Sequence, residues 1–362
     1  MVILADLLPQ LCSLKNVKYT KYVYIFQTFI WAKISRQVAM YTKRGTIMKY
    51  VNAKGLNLST FALGTVQLGM QYGLGEDSAK PTEEKSFSML DAAKEKGINT
   101  LDTANNYGDS EAVIGRWMAK RKAENKLLPW VVDKIGPLKH GSYDILRDDV
   151  YRQVEGCLKT LGVSTIDCLM LHNFEDYEQD RDALQKIFAE LKAQNLYEYS
   201  AISAYSFHDY GMIADSGFDA TQIPLNVFDW GQIENGGLQK IADAGMMIFT
   251  RSVFLQGLVF HTPEDLDPRM EFCFPYLRKF IALCKEFELN PAALALSFVL
   301  SLPGVTQAVM GCDNVSQVEA NCALFDRTVQ LTSAQMDKLH DAFYNIDPRV
   351  VNPGSWFNSK GK

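Results

Sequence analysis

Cys168-Leu169-Met170-Leu171-His172 is an unbroken apolar run closed by an ionisable side chain. A strand that is apolar on both faces belongs in a parallel sheet covered by helices, since a half-solvated antiparallel strand alternates polar with apolar. The flanking stretches, residues 149–161 and 182–194, carry apolar residues at three- and four-residue spacing and read as amphipathic helices. The same unit recurs along the chain. Strand-like runs fall at residues 58–65, 99–103, 130–135, 166–172, 198–204, 220–228, 247–253 and 306–311, with further helical patterns at residues 83–96 and 277–287. Gly97, Gly162, Gly217 and Gly245 stand where four of the helices should close in the left-handed conformation.

Eight parallel strands with intervening helices imply an α/β protein, with a closed (β/α)8 TIM barrel favoured over a doubly wound sheet. No G-x-G-x-x-G follows an early strand, which argues against a Rossmann domain. Residues 333–344, an extra C-terminal helix, and the tail through Trp356 lie outside the eight units and are expected across the barrel surface or mouth. The reading is therefore one barrel domain over residues 48–362, preceded by an irregular arm, residues 1–47. That arm carries Lys15, Lys18, Lys21, Lys33, Arg36, Lys43 and Arg44 against Asp6 alone. Such a pattern suits a transit-like arm, but a translation start at Met48 is favoured, because the first periodic element follows it directly.

Composition excludes several classes of function. The chain of 362 residues is 47% hydrophobic and 22% charged, enough for a large core. Its net charge of -5, with both signs interspersed, leaves no footprint for nucleic acid or an acidic membrane. The seven cysteines form no C-x-x-C pair and no cluster at metal-ligand spacing, so they read as reduced cytoplasmic thiols with no metal site. No apolar run reaches the ~18 residues of a membrane span. A small-molecule partner fits best.

In a barrel of this kind, side chains at the C-terminal ends of strands face the active site. Asp102, Lys134 and His172 stand at or near three successive strand ends, with Tyr107 in the loop after the first of them. Alone, Asp102 could cap a turn, Tyr107 could be a loop aromatic, Lys134 could face solvent and His172 could be a core histidine. Together on one rim, they point to a catalytic set.

The run Leu101-Asp102-Thr103-Ala104-Asn105-Asn106-Tyr107-Gly108, followed in order by the Lys134 and His172 contexts, resembles the aldo-keto reductase family. The resemblance spans about residues 50 to 357 and implies an NAD(P)-dependent oxidoreductase that reduces an aldehyde, ketone or sugar to an alcohol. Tyr107 would be the proton donor. A free tyrosine, with pKa about 10, is a poor acid at neutrality; Lys134 beside it would favour the tyrosinate, with Asp102 pairing and holding Lys134. His172 would donate to the carbonyl oxygen.

The resemblance also implies that Gly64, Thr65, Ser203, Gln222, Arg251, Ser252, Gly311, Gln317 and Asn321 bind the cofactor, with Ser203 and Gln222 on the nicotinamide carboxamide. Two positions depart from the family pattern. Ala204 stands where many relatives have Asn, and Arg251 stands where an aromatic usually stacks on the nicotinamide. The segment Gly311-Cys312-Asp313-Asn314-Val315-Ser316-Gln317 has Gln317 where an arginine commonly meets the extra phosphate of NADP, and Asp313 would repel that phosphate. Backbone amides near Val315 could still receive an anion. NADP and NAD stand level. The alternative of another class is a cofactor-binding regulatory or interaction module of the same fold with little turnover. Specificity is expected from the polar loop of residues 67–77 and from the loop of residues 255–268 and the tail with Trp356 and Phe357, which mix apolar and polar residues.

Overall fold

The computed structural model describes residues 48–71 and 80–356. The arm of residues 1–47, residues 72–77 of the first polar loop, and Phe357 in the tail lie outside the described residues. An antiparallel hairpin comes first, β1 (Tyr50–Ala53) and β2 (Leu56–Ser59), followed by β3 (Phe61–Gly64), β4 (Thr100–Ala104), β5 (Trp130–Ile135), β6 (Ile166–Leu171), β7 (Tyr197–Ser203), β8 (Ala220–Pro224), β9 (Met247–Arg251) and β10 (Val305–Gly311). The last eight close a parallel barrel in the order β10-β3-β4-β5-β6-β7-β8-β9. The expected (β/α)8 architecture is the one observed.

One expected strand, residues 58–65, is in fact two. The chain turns a corner at Ser59 and Thr60, where side chains supply hydrogen bonds that a ladder would otherwise make. Ser59 donates its N–H to Asn99 Oδ1 at 2.9 Å and its hydroxyl to the Phe61 carbonyl at 2.7 Å. An alternation pattern carries no mark of such a corner. The hairpin closes the N-terminal end of the barrel: Leu58 packs in the lumen with Val132, Cys168, Met170, Ala201, Ala220, Met247 and Phe249. Tyr199 Oη donates to the Lys54 carbonyl at 3.1 Å, and Lys54 pairs with Asp219 at 3.3 Å. That end is floored with apolar side chains, so the C-terminal mouth is the open end.

The helical layer is α1 (Val66–Gly69), α2 (Glu83–Glu95), α3 (Ser110–Ala123), α4 (Tyr143–Leu161), α5 (Phe174–Ala193), α6 (Tyr210–Ala214), α7 (Gly231–Glu234), α8 (Gly237–Asp243), α9 (Phe274–Glu286), α10 (Pro291–Ser301), α11 (Val315–Asp326) and α12 (Ser333–Phe343). Helices α4 and α5 start earlier than their apolar periodicity indicates. Their first turns are polar, with Ser142 capping α4 through its hydroxyl and Glu175 and Asp176 opening α5. The four helix-closing glycines hold φ of 68 to 90°, a region that strains any residue with a Cβ. Helix α12 carries a Thr332/Gln335 capping box, and its Phe343 ring lies 5.1 Å from Phe228, in the loop after β8. Among the described residues no helix is long and apolar enough to cross a membrane.

Candidate active site

Side chains alternate across a strand, so the parity that turns Val132, Met170, Ala201, Ala220 and Phe249 into the lumen also turns Lys134, His172, Ser203, Gln222 and Arg251 inward, one layer nearer the mouth. Lys134 Nζ lies 2.6 Å from Asp102 Oδ1, with the lysine wholly buried. The ammonium also donates to the Thr103 carbonyl at 3.1 Å, and Gln222 Nε2 donates to Asp102 Oδ1 at 2.7 Å. Burial alone would drive the lysine toward its neutral form, but Asp102 and the Tyr107 phenol more than offset that, so its pKa is raised.

Tyr107 is brought onto this pair by a tight turn. Its N–H donates to the Ala104 carbonyl at 3.0 Å, and its own carbonyl accepts from Ser110 N–H at 3.1 Å. Gly108 holds φ of 58°, and a Cβ there would come within 2.2 Å of the Gly69 carbonyl oxygen, so α1 can pack on this loop only if residue 108 has no side chain. Ser110 in turn donates its hydroxyl to the Thr65 carbonyl at 2.9 Å. The Lys134 ammonium sits 5.3 Å from the Tyr107 ring centroid, and the His172 ring stands edge-on to it at 5.7 Å. Burial, aided by the Lys134 charge, pushes the His172 imidazole down to about 4, so it is neutral at neutral pH. His172 Nδ1 is buried with no hydrogen-bond partner among the described residues. The four expected chemical residues thus meet at one place.

The other expected residues divide into two sets. Gly64 and Gly311 pair side by side on β3 and β10, and the Gln67 side chain lies on Gly311, where an added Cβ would meet Gln67 Nε2 at 2.2 Å. Gln67 Oε1 is buried and lacks a donor among the described residues. Gln67 Oε1, an acceptor waiting for a donor beside two residues without side chains, fits a dinucleotide with its hydroxyls. Thr65 is fixed to the Asp102 carbonyl through both N–H and hydroxyl, at 3.0 and 2.9 Å. Ser203 is buried at the end of β7, and Ser252 follows β9 with φ of 61°.

Beyond β10 the side chains are engaged with one another. Gln317 Oε1 accepts from Asp313 N–H at 2.6 Å, and its amide donates to Asp313 Oδ2 at 3.1 Å. Buried Asn321 donates to Cys312 Sγ at 3.3 Å. Arg251 donates from Nη2 to the Ala204 carbonyl at 3.0 Å, and its guanidinium covers the Tyr205 ring at 4.4 Å.

Asp133 was not singled out from the sequence, although a carboxylate between Val132 and Lys134 must turn away from the lumen into the helix layer. It is fully buried there beside Glu111 of α3 and Cys157 of α4, with ligand atoms all within 4.8 Å of one another. Neither Asp133 oxygen has a hydrogen-bond donor among the described residues. Burial, then the Glu111 charge, push the Asp133 carboxyl well above the usual carboxylate range; the same surroundings push up the Cys157 thiol. The folded state therefore keeps a proton on Asp133 that the unfolded chain releases above about pH 4, and stability is lost as pH rises from there through the folded pKa. Asp133→Asn supplies a permanently neutral donor to Glu111. Urea midpoints are expected to fall less steeply with rising pH in the variant than in the wild type. The gap between the two proteins should widen in favour of the variant as pH rises. Equal slopes in the two proteins would show that Asp133 is charged in the fold.

The profile of the "Aldo/keto reductase family" matches residues 60–343. The chain is 24% identical over 311 residues to "Uncharacterized oxidoreductase YrpG" of Bacillus subtilis, covering 74% of this chain and 88% of that protein. It is likewise 24% identical over 294 residues to the "L-galactose dehydrogenase" of Arabidopsis thaliana, covering 78% and 88%. Among solved structures it superposes on "aldo-keto reductase AKR11C1 from Bacillus halodurans (holo form)" with a TM-score of 0.65 at 19% identity, covering 84% and 99%, a likeness of fold. With the profile spanning nearly the whole barrel and an unbroken set of strand-end residues at its mouth, the chain belongs to the aldo/keto reductase family.

Proposed function

We propose that the protein is an NAD(P)H-dependent reductase of a small carbonyl compound, with Tyr107 as the proton donor. The family is one of oxidoreductases, and the observation that supports this activity most is the buried Lys134–Asp102 pair at 2.6 Å, set against the Tyr107 ring. A lone buried ion pair is seldom kept for stability, because desolvation offsets much of its attraction. A role for its charge explains it. A nicotinamide cofactor held there would supply the hydride to the carbonyl carbon. Tyr107 holds the proton at Oη and releases it to the carbonyl oxygen, and Lys134 stabilises the phenolate left behind. Asp102 and Gln222 keep Lys134 charged and in place. Neutral His172 can give an N–H to the carbonyl oxygen without competing with Tyr107 as an acid. Ser203 and the side-chain carbonyl of Gln222 would hold the carboxamide, with Gly64, Thr65 and Gly311 as the backbone rim for the dinucleotide.

The site residues fit either cofactor. The screen that tests the reading pairs aldehydes, ketones and aldoses with NADH and NADPH; absence of turnover with every pair would overturn it. Asp313 and Gln317 bond to each other, so neither offers a cation to a 2′-phosphate, and NADH should serve at least comparably to NADPH. In Asp313→Asn/Gln317→Arg, the ratio of kcat/KM for NADPH over NADH is expected to rise about tenfold or more, the scale of one charge-assisted hydrogen bond. A wild-type ratio strongly favouring NADPH, unmoved in the double variant, would place the phosphate elsewhere. A cytoplasmic location accords with six free, buried cysteines among the described residues.

A further inference from the structure

One polar side chain outside the chemical set reaches both of the loops that hold Tyr107 and Lys134 together. Gln153, on α4, is buried. Its Oε1 accepts from Asn105 Nδ2 at 2.7 Å and from Gly136 N–H at 2.9 Å. Its Nε2 donates to Asp149 Oδ2 at 2.9 Å and to the Pro137 carbonyl at 3.3 Å. Every hydrogen-bonding position of the amide is thus used. A backbone N–H can only donate and a carbonyl can only accept, so Gly136 and Pro137 fix which way the Gln153 amide points. The Asn105 amide is then fixed as well, with its NH2 group on Gln153 Oε1.

Asn105 and Asn106 are the central residues of the turn that Tyr107 N–H closes on the Ala104 carbonyl. The start of that turn is tied to β5, where Asn105 N–H donates to the Lys134 carbonyl at 2.9 Å. Gly136 and Pro137 follow Lys134 on the other side, and a Cβ added at Gly136 would lie 3.5 Å from the His172 Cβ. One buried amide therefore braces the turn of Tyr107 against the bend that ends β5 and backs His172. Such a brace bears on chemistry as well as on stability, because misplacing a reacting group by about 1 Å can cost ~10²-fold in rate.

We infer that Gln153 is a positioning residue of the reduction, setting the approach of the Tyr107 phenol to the Lys134 ammonium through Asn105. This rests on the reductase reading above. Gln153→Met keeps the length of the side chain and removes all four bonds. Its kcat is expected to fall about tenfold or more, with KM for the carbonyl and NADH binding little changed. The Tyr107 phenol is read as the difference in tyrosinate absorbance between a protein and its Tyr107→Phe counterpart. In Gln153→Met it should titrate at higher pH than in the wild type, because the cation would stand farther from it. Asn105→Ala leaves Gln153 bonded to Gly136, Pro137 and Asp149 and should give the same shift; it carries the test if Gln153→Met does not fold. The double variant should shift no further than either single change. A folded Gln153→Met whose phenol titrates with the wild type makes Gln153 a structural residue alone and overturns the inference, whatever its effect on stability. Shifts that add in the double variant overturn it too, because the two residues would then act separately. Absence of carbonyl reduction by the wild type sinks the reductase reading alone, since the phenol titration reads the brace without turnover.

Discussion

Tyr107→Phe is expected to lower carbonyl reduction by ~10²-fold or more, the scale of general acid catalysis, while dinucleotide binding is retained. The substitution removes one oxygen and keeps the ring. The edge-on contact with His172 and the Lys134 ammonium over the ring are both contacts of the ring itself, so the packing at the mouth survives. The turn that places residue 107 is built from backbone bonds to Ala104 and Ser110 and does not depend on the hydroxyl. Fold and cofactor site should therefore be intact, and the loss should appear in kcat. Single-turnover reduction and NADH fluorescence titration measure the two quantities separately. Turnover near the wild-type level would remove Tyr107 as the acid and leave His172, whose neutral imidazole is a far weaker candidate as a proton source at pH 7.

The barrel was legible because its strands are apolar on both faces between amphipathic helices, and Asp102, Lys134 and His172 because they are ionisable groups at the ends of such strands; Tyr107, in a loop, was read through the family resemblance. Once Met170 is inside, His172 is inside, and once Val132 is inside, so is Lys134. The same rule sends Asp133 outward, yet alternation says nothing of what waits there. That Glu111 and Cys157 meet it depends on how α3 and α4 pack, which is a property of tertiary distance. The corner at Ser59–Thr60 was hidden for a similar reason, since it is stabilised by Asn99, forty positions away. Arg251 was legible as a departure from the family pattern, but its partner Tyr205 was not. Arg251 ends β9 and Tyr205 follows β7, with β8 between them, so their contact is a property of the folded rim.

Lys134→Met is expected to be the most disruptive single change, acting on stability and on chemistry at once. It leaves Asp102 buried with its charge uncompensated, and breaking a buried pair from one side costs about 3–5 kcal/mol. A dead enzyme would then prove little, because an unfolded one is also dead. Asp102→Asn/Lys134→Met separates the effects. It removes both charges, while an amide oxygen at residue 102 can still accept from Gln222, so most of the lost stability should return. Catalysis should not return, because no ammonium remains to favour the phenolate of Tyr107. The sign of the pH effect follows. Without the cation the phenol gives up its proton at higher pH, so the alkaline limb of residual activity should move to higher pH in the double variant. A stable double variant with near wild-type turnover and an unmoved alkaline limb would reduce Lys134 and Asp102 to a structural pair. A stable double variant with low turnover and a shifted limb leaves one explanation, that the lysine acts on the proton held by Tyr107.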